Sequence, residues 1–478
     1  MISNLRLQNF QGFEARNEVE LKPLTLIFGS NASGKSSILR SMLLFKQSQI
    51  RQTLINPLPR TSGFVFEGDE VSLANFANVI HGHNENATMS LGVTITELRE
   101  EGLRLSKESL DSLIRKIDVD FEANSRYAPS KLRFVFTFRD AQEELLLEFT
   151  ANPQGYSASG KNLLLLNKVF ASLKNLESKR QDFSYDELGQ IYPKQAPTEH
   201  HWTSQLSELN FTLRGLMPLV TGSSSTSPGA DETVLRTVQR LLNFTGQQLS
   251  NQFEGEHIGP LRPIRNRLNY SGVGGSVYKS ETPNPKKEAL DEKRRRIASK
   301  WLLNLTEDRY EFKRIEFVAD EVRFLGNMHS DVVLDRATNT VVTLSDVGVG
   351  LSQVIPILEA LANSAIGRKP GSILTIEQPE LHLHPKMQGD LADLFIDASR
   401  HGKMNLIAET HSEAILLRVI RRLREGSLEP DKVAVIFVEN DMATKSNIAC
   451  NMALDPDKDF RVDFPLSFSS IRLDDSLA

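Results

Sequence analysis

A chain of 478 residues with one cysteine, Cys450, cannot hold an internal disulfide framework, and it lacks the paired thiolates of a CxxC zinc hook or another Cys-rich metal site. No continuous apolar run approaches the roughly 18 residues that a membrane span needs, so no membrane association is expected. Residues Met1 to Phe10 have no basic stretch followed by an apolar one, so no secretory leader is expected and the expected location is cytoplasmic. Neither sign of charge dominates: 56 basic side chains face 61 acidic ones, a net −5. Whole-molecule electrostatics therefore do not mark a nucleic-acid binder, although a local basic patch would be compatible with that balance. Sustained heptads and internal repeats are also missing, which argues against a long coiled-coil arm. What is present is 40 % hydrophobic and 24 % charged residues, a folded chain of about two to four domains at roughly 150 residues each.

Patterning divides the chain. In residues 1–65, Leu5, Leu7 and Phe10 lie in an extended opening segment, and Thr25 to Phe28 is a short apolar strand ending at Gly29. Helical spacing follows from Ser36 towards Gln49. Residues 66–310 mix strand-like runs (Leu132 to Phe138, Leu145 to Phe149) with expected helices such as Ser106 to Ile117 and Lys286 to Leu303. Two stretches, Thr221 to Asp231 and Ser271 to Pro285, are rich in Gly, Ser, Thr or Pro and read as loops. Strong patterning returns over 311–445. A helix is expected within Ser345 to Ala362, with Pro356 as a kink, then a strand at Ser372 to Ile376 and a helix at Met387 to Ala398. A strand at Met404 to Ala408, a helix at Glu413 to Arg424 and a strand at Val433 to Val438 complete it. Residues 446–478 form a tail. Alternating short strands and helices predict an α/β fold with a mixed sheet flanked by helices and a large α+β insertion.

The strongest motif is Gly29-Ser30-Asn31-Ala32-Ser33-Gly34-Lys35-Ser36, followed by Ser37. This is the GxxxxGK[ST] phosphate loop, set between an apolar strand and an amphipathic helix as it must be. The glycines let backbone N–H groups wrap phosphates at a helix N-terminus, Lys35 reaches the terminal phosphates, and the Ser36 hydroxyl ligates Mg²⁺. Downstream, the strand ending at Ile376 delivers Glu377, the carboxylate a Walker B element needs for the metal. His411 follows the strand ending at Ala408, at the sheet edge where ligands bind in open α/β folds. A structural histidine and a γ-phosphate sensor both fit that position. Ser345 and Gly348 precede a helix, where they can hold phosphate; Ser345 or Asp346 can equally be an N-cap.

Together, in this order, the motifs resemble those of ABC-type ATPases of the SMC/RecF/OLD branch. LRLQNFQGF (Leu5 to Phe13) is similar to that branch's opening strand, GSNASGKSS to its Walker A, and Ser345 with Gly348 to its signature loop. IEQPELHLHP is similar to its Walker B and D-loop, and ETHSE to its switch histidine. His257-Ile-Gly-Pro-Leu-Arg262 is a weaker match, and Val462 to Phe468 resembles the tail of a group of bacterial predicted ATPases. The resemblance implies a P-loop NTPase of ABC/SMC-like type that binds ATP and Mg²⁺. It also implies an ATP-dependent homodimer or higher homo-oligomer, with Ser345 and Gly348 completing the partner's site.

Two departures qualify it. Most relatives carry Asp-Glu where this chain has Glu377-Gln378. Gln378 cannot be a general base, a role worth roughly 10²–10⁴-fold in rate. It can still orient water, with Glu380 as a candidate replacement carboxylate, and slow turnover is expected. Val435 to Asp441 resembles the opening of the Toprim nuclease that follows the ATPase in OLD proteins. The 39 residues after Glu439 are too few to complete one, so no nuclease is expected in this chain.

The expected role is a nucleotide-dependent switch or sensor acting on a separate effector such as a nuclease. That is the arrangement of the PARIS- and Septu-type anti-phage ATPases, which the motifs resemble. A RecF-like DNA-binding repair ATPase is the alternative, and a non-hydrolysing scaffold a third reading. The clusters Arg418, Arg421, Arg422, Arg424 and Lys293 to Arg296 read as solvated faces or as phosphate-backbone contacts. No aromatic residues interleave with them to stack single-stranded bases. Arg262, Arg265 and Arg267 read as contacts to nucleotide or a neighbouring protomer.

Overall fold

The computed structural model describes residues 1–50, 63–98, 109–126, 129–140, 143–152, 155–171, 198–214, 217–223, 232–253, 255–262, 269–271, 285–317, 327–367, 372–402 and 404–454. Two compact units are each discontinuous in sequence. One comprises Met1–Leu21, Asn31–Glu254 and Val438–Cys450, the other Lys22–Ser30, Gly255–Phe437 and Asn451–Ala478.

The first unit is built on a nine-stranded sheet. From one edge its strands are Met217–Ser223, Leu209–Arg214, Gly155–Lys161, Glu144–Asn152, Lys131–Phe138, Ile114–Ala123, Met89–Ile95, Ile2–Gln8 and Asn17–Glu20, all paired antiparallel. The opening strand thus pairs with Met89–Ile95. Alternation is the cause of the buried face: Ile117, Val119, Phe121 and Ala123 point inward while the residues between them are polar. The expected helix over Ser106 to Ile117 is corrected here. Among its described residues, only Leu110–Leu113 is helical, and the period-two run from Ile114 onward makes strand. Phe45 on the helix Lys35–Ile50 stacks on Phe253 of the helix Glu232–Phe253 at 5.3 Å and tilts against Phe121 at 5.6 Å, tying both helices to the sheet.

A six-stranded sheet has the order His257–Ile258, Ile373–Glu377, Asn405–Glu409, Leu24–Gly29, Val433–Asp441, Ser446–Met452, its first four strands belonging to the second unit. Its first four strands run parallel, in register Glu377 to Glu409 to Ile27. Near-continuous apolar burial in Leu24–Gly29 and Ile373–Glu377 follows from helices covering the sheet. These helices, Pro285–Leu305, Val349–Gly367, Pro385–Gly402 and Glu413–Arg424, share one core around Leu302, Leu358, Phe395 and Val419. A four-stranded antiparallel sheet (Asn269–Ser271, Asn327–Asp335, Tyr310–Phe317, Thr340–Thr343) completes the unit.

The mixed α/β architecture matches the sequence expectation, as do the helices near 286–303, 387–398 and 413–424. Pro356 lies inside the helix Val349–Gly367, as expected. One refinement concerns hydropathy: Val349–Ile366 is long and apolar enough to cross a membrane although polar residues interrupt it, and 56 % of that window is buried. Of the two expected loops, Thr221 to Ser223 end a strand, while 224–231 and 272–284 lie outside the described residues. So do Arg265, Arg267 and Val462 to Phe468.

Candidate functional site

Parallel strands leave their C-terminal ends on one edge, the place where open α/β sheets receive ligands. In the second unit that edge gathers the end of Leu24–Gly29, where the phosphate loop begins, with Glu377, Gln378, Thr410 and His411. The Thr410 N–H donates to Ile27 O at 3.0 Å and the Gln378 N–H to Glu409 O at 2.7 Å, so neighbouring strand ends are stitched together.

Gln378 has φ of +43°, the left-handed region that non-glycine residues seldom occupy. What holds it there is Arg262. This side chain, 6 % exposed, donates from Nη2 to the carbonyl oxygens of Glu377 (2.7 Å) and Gln378 (3.2 Å). Its backbone is locked in turn by Gln353: the Arg262 N–H donates to Gln353 Oε1 and Gln353 Nε2 donates to Arg262 O. Burial pushes the guanidinium down to about 10, opposed by the charges of Glu380 and Glu377. The expectation that Arg262 faces nucleotide or a second protomer is therefore corrected. It points inward and braces the turn at Glu377 and Gln378.

Glu380 has both carboxylate oxygens engaged, one by Thr410 Oγ1 and the other by the His411 N–H, each at 2.7 Å. It fixes the backbone from which the exposed His411 side chain projects. Ser412 then caps the helix Glu413–Arg424, accepting from the Ile415 N–H and donating to Gln388 Oε1 at 2.6 Å. Behind the Walker B strand, His257 Nδ1 lies 2.9 Å from Thr375 Oγ1 and its Nε2 lies 3.7 Å from Glu377 Oε1.

Around the signature loop, Ser345 Oγ lies 2.8 Å from Thr343 Oγ1, which donates to Asp346 Oδ2 at 2.7 Å. A side chain at Gly348 would meet nothing within 4 Å, so that loop is open on its outer side. Gly350 is the opposite case: a Cβ there would sit 2.7 Å from His382 O, so the helix Val349–Gly367 presses directly on the backbone after Gln378.

In the first unit the rest of the phosphate loop turns through Ala32 (φ +61°) and Gly34 (φ +96°) into the helix Lys35–Ile50. Lys35 is 4 % exposed, and the Ser37 N–H donates to Gly34 O at 3.0 Å. Ser33 is buried and its hydroxyl has no hydrogen-bond partner. An oxyanion cradled by the loop supplies the missing acceptor, so the residues fit a bound phosphate. Among the described residues no cluster of three His, Cys, Asp or Glu is found.

Asn447 carries no signal in the sequence. Its amide packs on the loop: a Cβ on Gly34 would come within 2.2 Å of Asn447 Nδ2 and one on Gly12 within 2.0 Å, and the Asn447 N–H donates to Gly12 O. The basic clusters are mostly neutralised. Arg418 and Arg422 pair with Asp390, Asp393 and Glu425, while Arg294 and Arg296 pair with Asp291 and Glu292.

A family model described as "AAA ATPase domain" matches residues 1–218 and 228–416. The chain belongs to this family and is an ATP-binding P-loop ATPase. No curated protein matches it. Among solved structures, it is similar to an SMC head bound to the C-winged-helix domain of ScpA (12 % identity, 95 % of this chain and 98 % of that one, TM-score 0.40). It is also similar to the SMC head domain from Thermotoga maritima (10 %, 94 % and 98 %, 0.38). A third is the Smc head with an extended coiled coil bound to the C-terminal domain of ScpA, derived from Pyrococcus furiosus (11 %, 95 % and 96 %, 0.44).

Proposed function

We propose that this ATPase is a slow, nucleotide-dependent switch that assembles with a second copy of itself when ATP is bound. In this reading the loop from Gly29 to Ser37 holds the phosphates, Ser36 and Glu377 serve Mg²⁺, Gln378 orients water, and His411 reads the γ-phosphate. Ser345 and Gly348 contact the nucleotide held by the partner copy. The observation that carries the reading is the Gln378 turn: an amide stands where a base is usual, held at positive φ by a dedicated buried arginine. Such a group can position water but accepts no proton, which favours a long-lived ATP state over rapid cycling.

The biological setting follows from the resemblance to anti-phage ATPases: a cytoplasmic sensor whose ATP-held assembly restrains or presents a separate effector, such as a nuclease. The RecF-like alternative loses support because Arg418 and Arg422, which would line a DNA surface, are paired with carboxylates. Sedimentation velocity tests the assembly directly. With Mg-ATP the wild-type chain should shift to a dimer or larger species, and Lys35→Ala should not. A wild-type chain that stays monomeric with saturating ATP overturns the proposal.

A further inference from the structure

Away from the sheet edge, the second unit contains a cavity of about 510 Å³ between the helices Pro285–Leu305 and Val349–Gly367 and the small antiparallel sheet. One wall is basic and largely pre-organised. Arg314 grips Asp331 with two bonds, Nε to Oδ1 at 2.8 Å and Nη2 to Oδ2 at 3.2 Å, and Arg294 pairs with Asp291 at 2.6 Å. Arg295 differs from both: it has no hydrogen bond or ion pair with any described residue, although Asp331 and Asp291 act on it at longer range. Burial and then the charge of Arg314 push its guanidinium down. The same two causes push His329 down, and its ring carries an N–H able to donate in either protonation state. Arg295 and the partly buried His329 therefore face the cavity on a wall whose other two arginines are already bonded to carboxylates, which leaves Arg295 as the guanidinium there able to bind an anion.

The opposite wall has other chemistry. Glu256 accepts from Asn363 Nδ2 at 3.4 Å, and Asn363 Oδ1 is buried with no partner. These acceptors suit hydrogen-bond donors, and the carboxylates there repel a polyanionic backbone.

We propose that this cavity binds a small phosphorylated molecule, its phosphate on Arg295 and His329 and its hydroxyl or amino donors on Glu256 and Asn363. The site is separate from the phosphate loop. It is also in contact with the signature helix through Pro356 and Asn363, so an occupant touches the element that starts at the signature loop.

The test is calorimetric titration of inorganic phosphate into the full-length chain carrying Lys35→Ala, which silences the nucleotide loop. Saturable binding is expected, weakened at least about tenfold by adding Arg295→Gln and far less by adding Arg294→Gln, whose guanidinium is already paired. Arg295→Lys should bind with intermediate affinity, and unchanged melting curves show that the variants fold. The proposal is overturned by no saturable binding up to roughly 10 mM phosphate. It is equally overturned by equal losses from Arg294→Gln and Arg295→Gln, the signature of an adventitious ion only. Arg295-dependent displacement of phosphate by a DNA duplex would also overturn it, because the site would then serve a nucleic acid. Binding of ATP by Arg295→Gln in the wild-type background reports separately on the nucleotide reading.

Discussion

The Nη2 group of Arg262 donates to the carbonyl oxygen of Gln378 at 3.2 Å, and Gln378 is one of 13 non-glycine residues at positive φ among the described residues. Positive φ away from glycine costs on the order of 1–3 kcal/mol and persists only where the surroundings impose it. Arg262 is the imposing group, and Gln353 links it to the signature helix.

Arg262→Lys should therefore lower kcat while leaving ATP affinity near wild type. Lysine keeps the charge but loses the planar fork that reaches both carbonyls, and misplacement by about 1 Å can cost on the order of 10²-fold. Single-turnover hydrolysis and equilibrium nucleotide binding, measured on the same preparation, check the split. An equal loss in both would mean that Arg262 supports the fold and not the turn.

Gly12→Ala should destabilise the first unit by about 1–3 kcal/mol, the usual range for overpacking. The new Cβ would meet Asn447 Nδ2 at 2.0 Å. Asn447→Ala should relieve it, so the double variant is expected to be more stable than Gly12→Ala alone. Urea unfolding of the three variants measures the coupling.

Acid should loosen the packing of the helices Pro385–Gly402 and Glu413–Arg424. Burial works to raise the Asp393 carboxyl, but its bonds to Arg422 and Arg418 win and hold it below the ordinary aspartate value. A depressed folded-state value contributes stability that is complete above the unfolded value near 4 and is lost as pH falls through the folded one. The thermal midpoint should fall with pH below about 4, and Asp393→Asn should flatten that dependence.

Much of this was legible in the sequence because it is local. The phosphate loop needs contiguous glycines before a helix, and the strands ending at Glu377 and Glu409 are short apolar runs, so order along the chain was enough. The helix expected at Ser106 failed because four helical residues lead directly into a period-two strand, and a single window averages the two patterns. Asn447 was invisible: it reaches Gly12 and Gly34 from more than 400 residues away, and an isolated asparagine in a strand carries no local signal. Arg262 stood within a flagged motif, but only the structure shows it turned inward. The sequence marks Glu380 as a candidate replacement carboxylate; that both its oxygens bond Thr410 Oγ1 and the His411 N–H is visible only in the structure.

The most direct test of the account is Mg-ATP turnover by the purified chain, with Lys35→Ala as blank and Gln378→Glu beside it. The account predicts tight ATP binding, hydrolysis that is slow in the wild type and absent in Lys35→Ala, and an increase of about tenfold or more in Gln378→Glu, since a positioned base contributes roughly 10²–10⁴-fold. Full ATP binding and turnover by Lys35→Ala would contradict it.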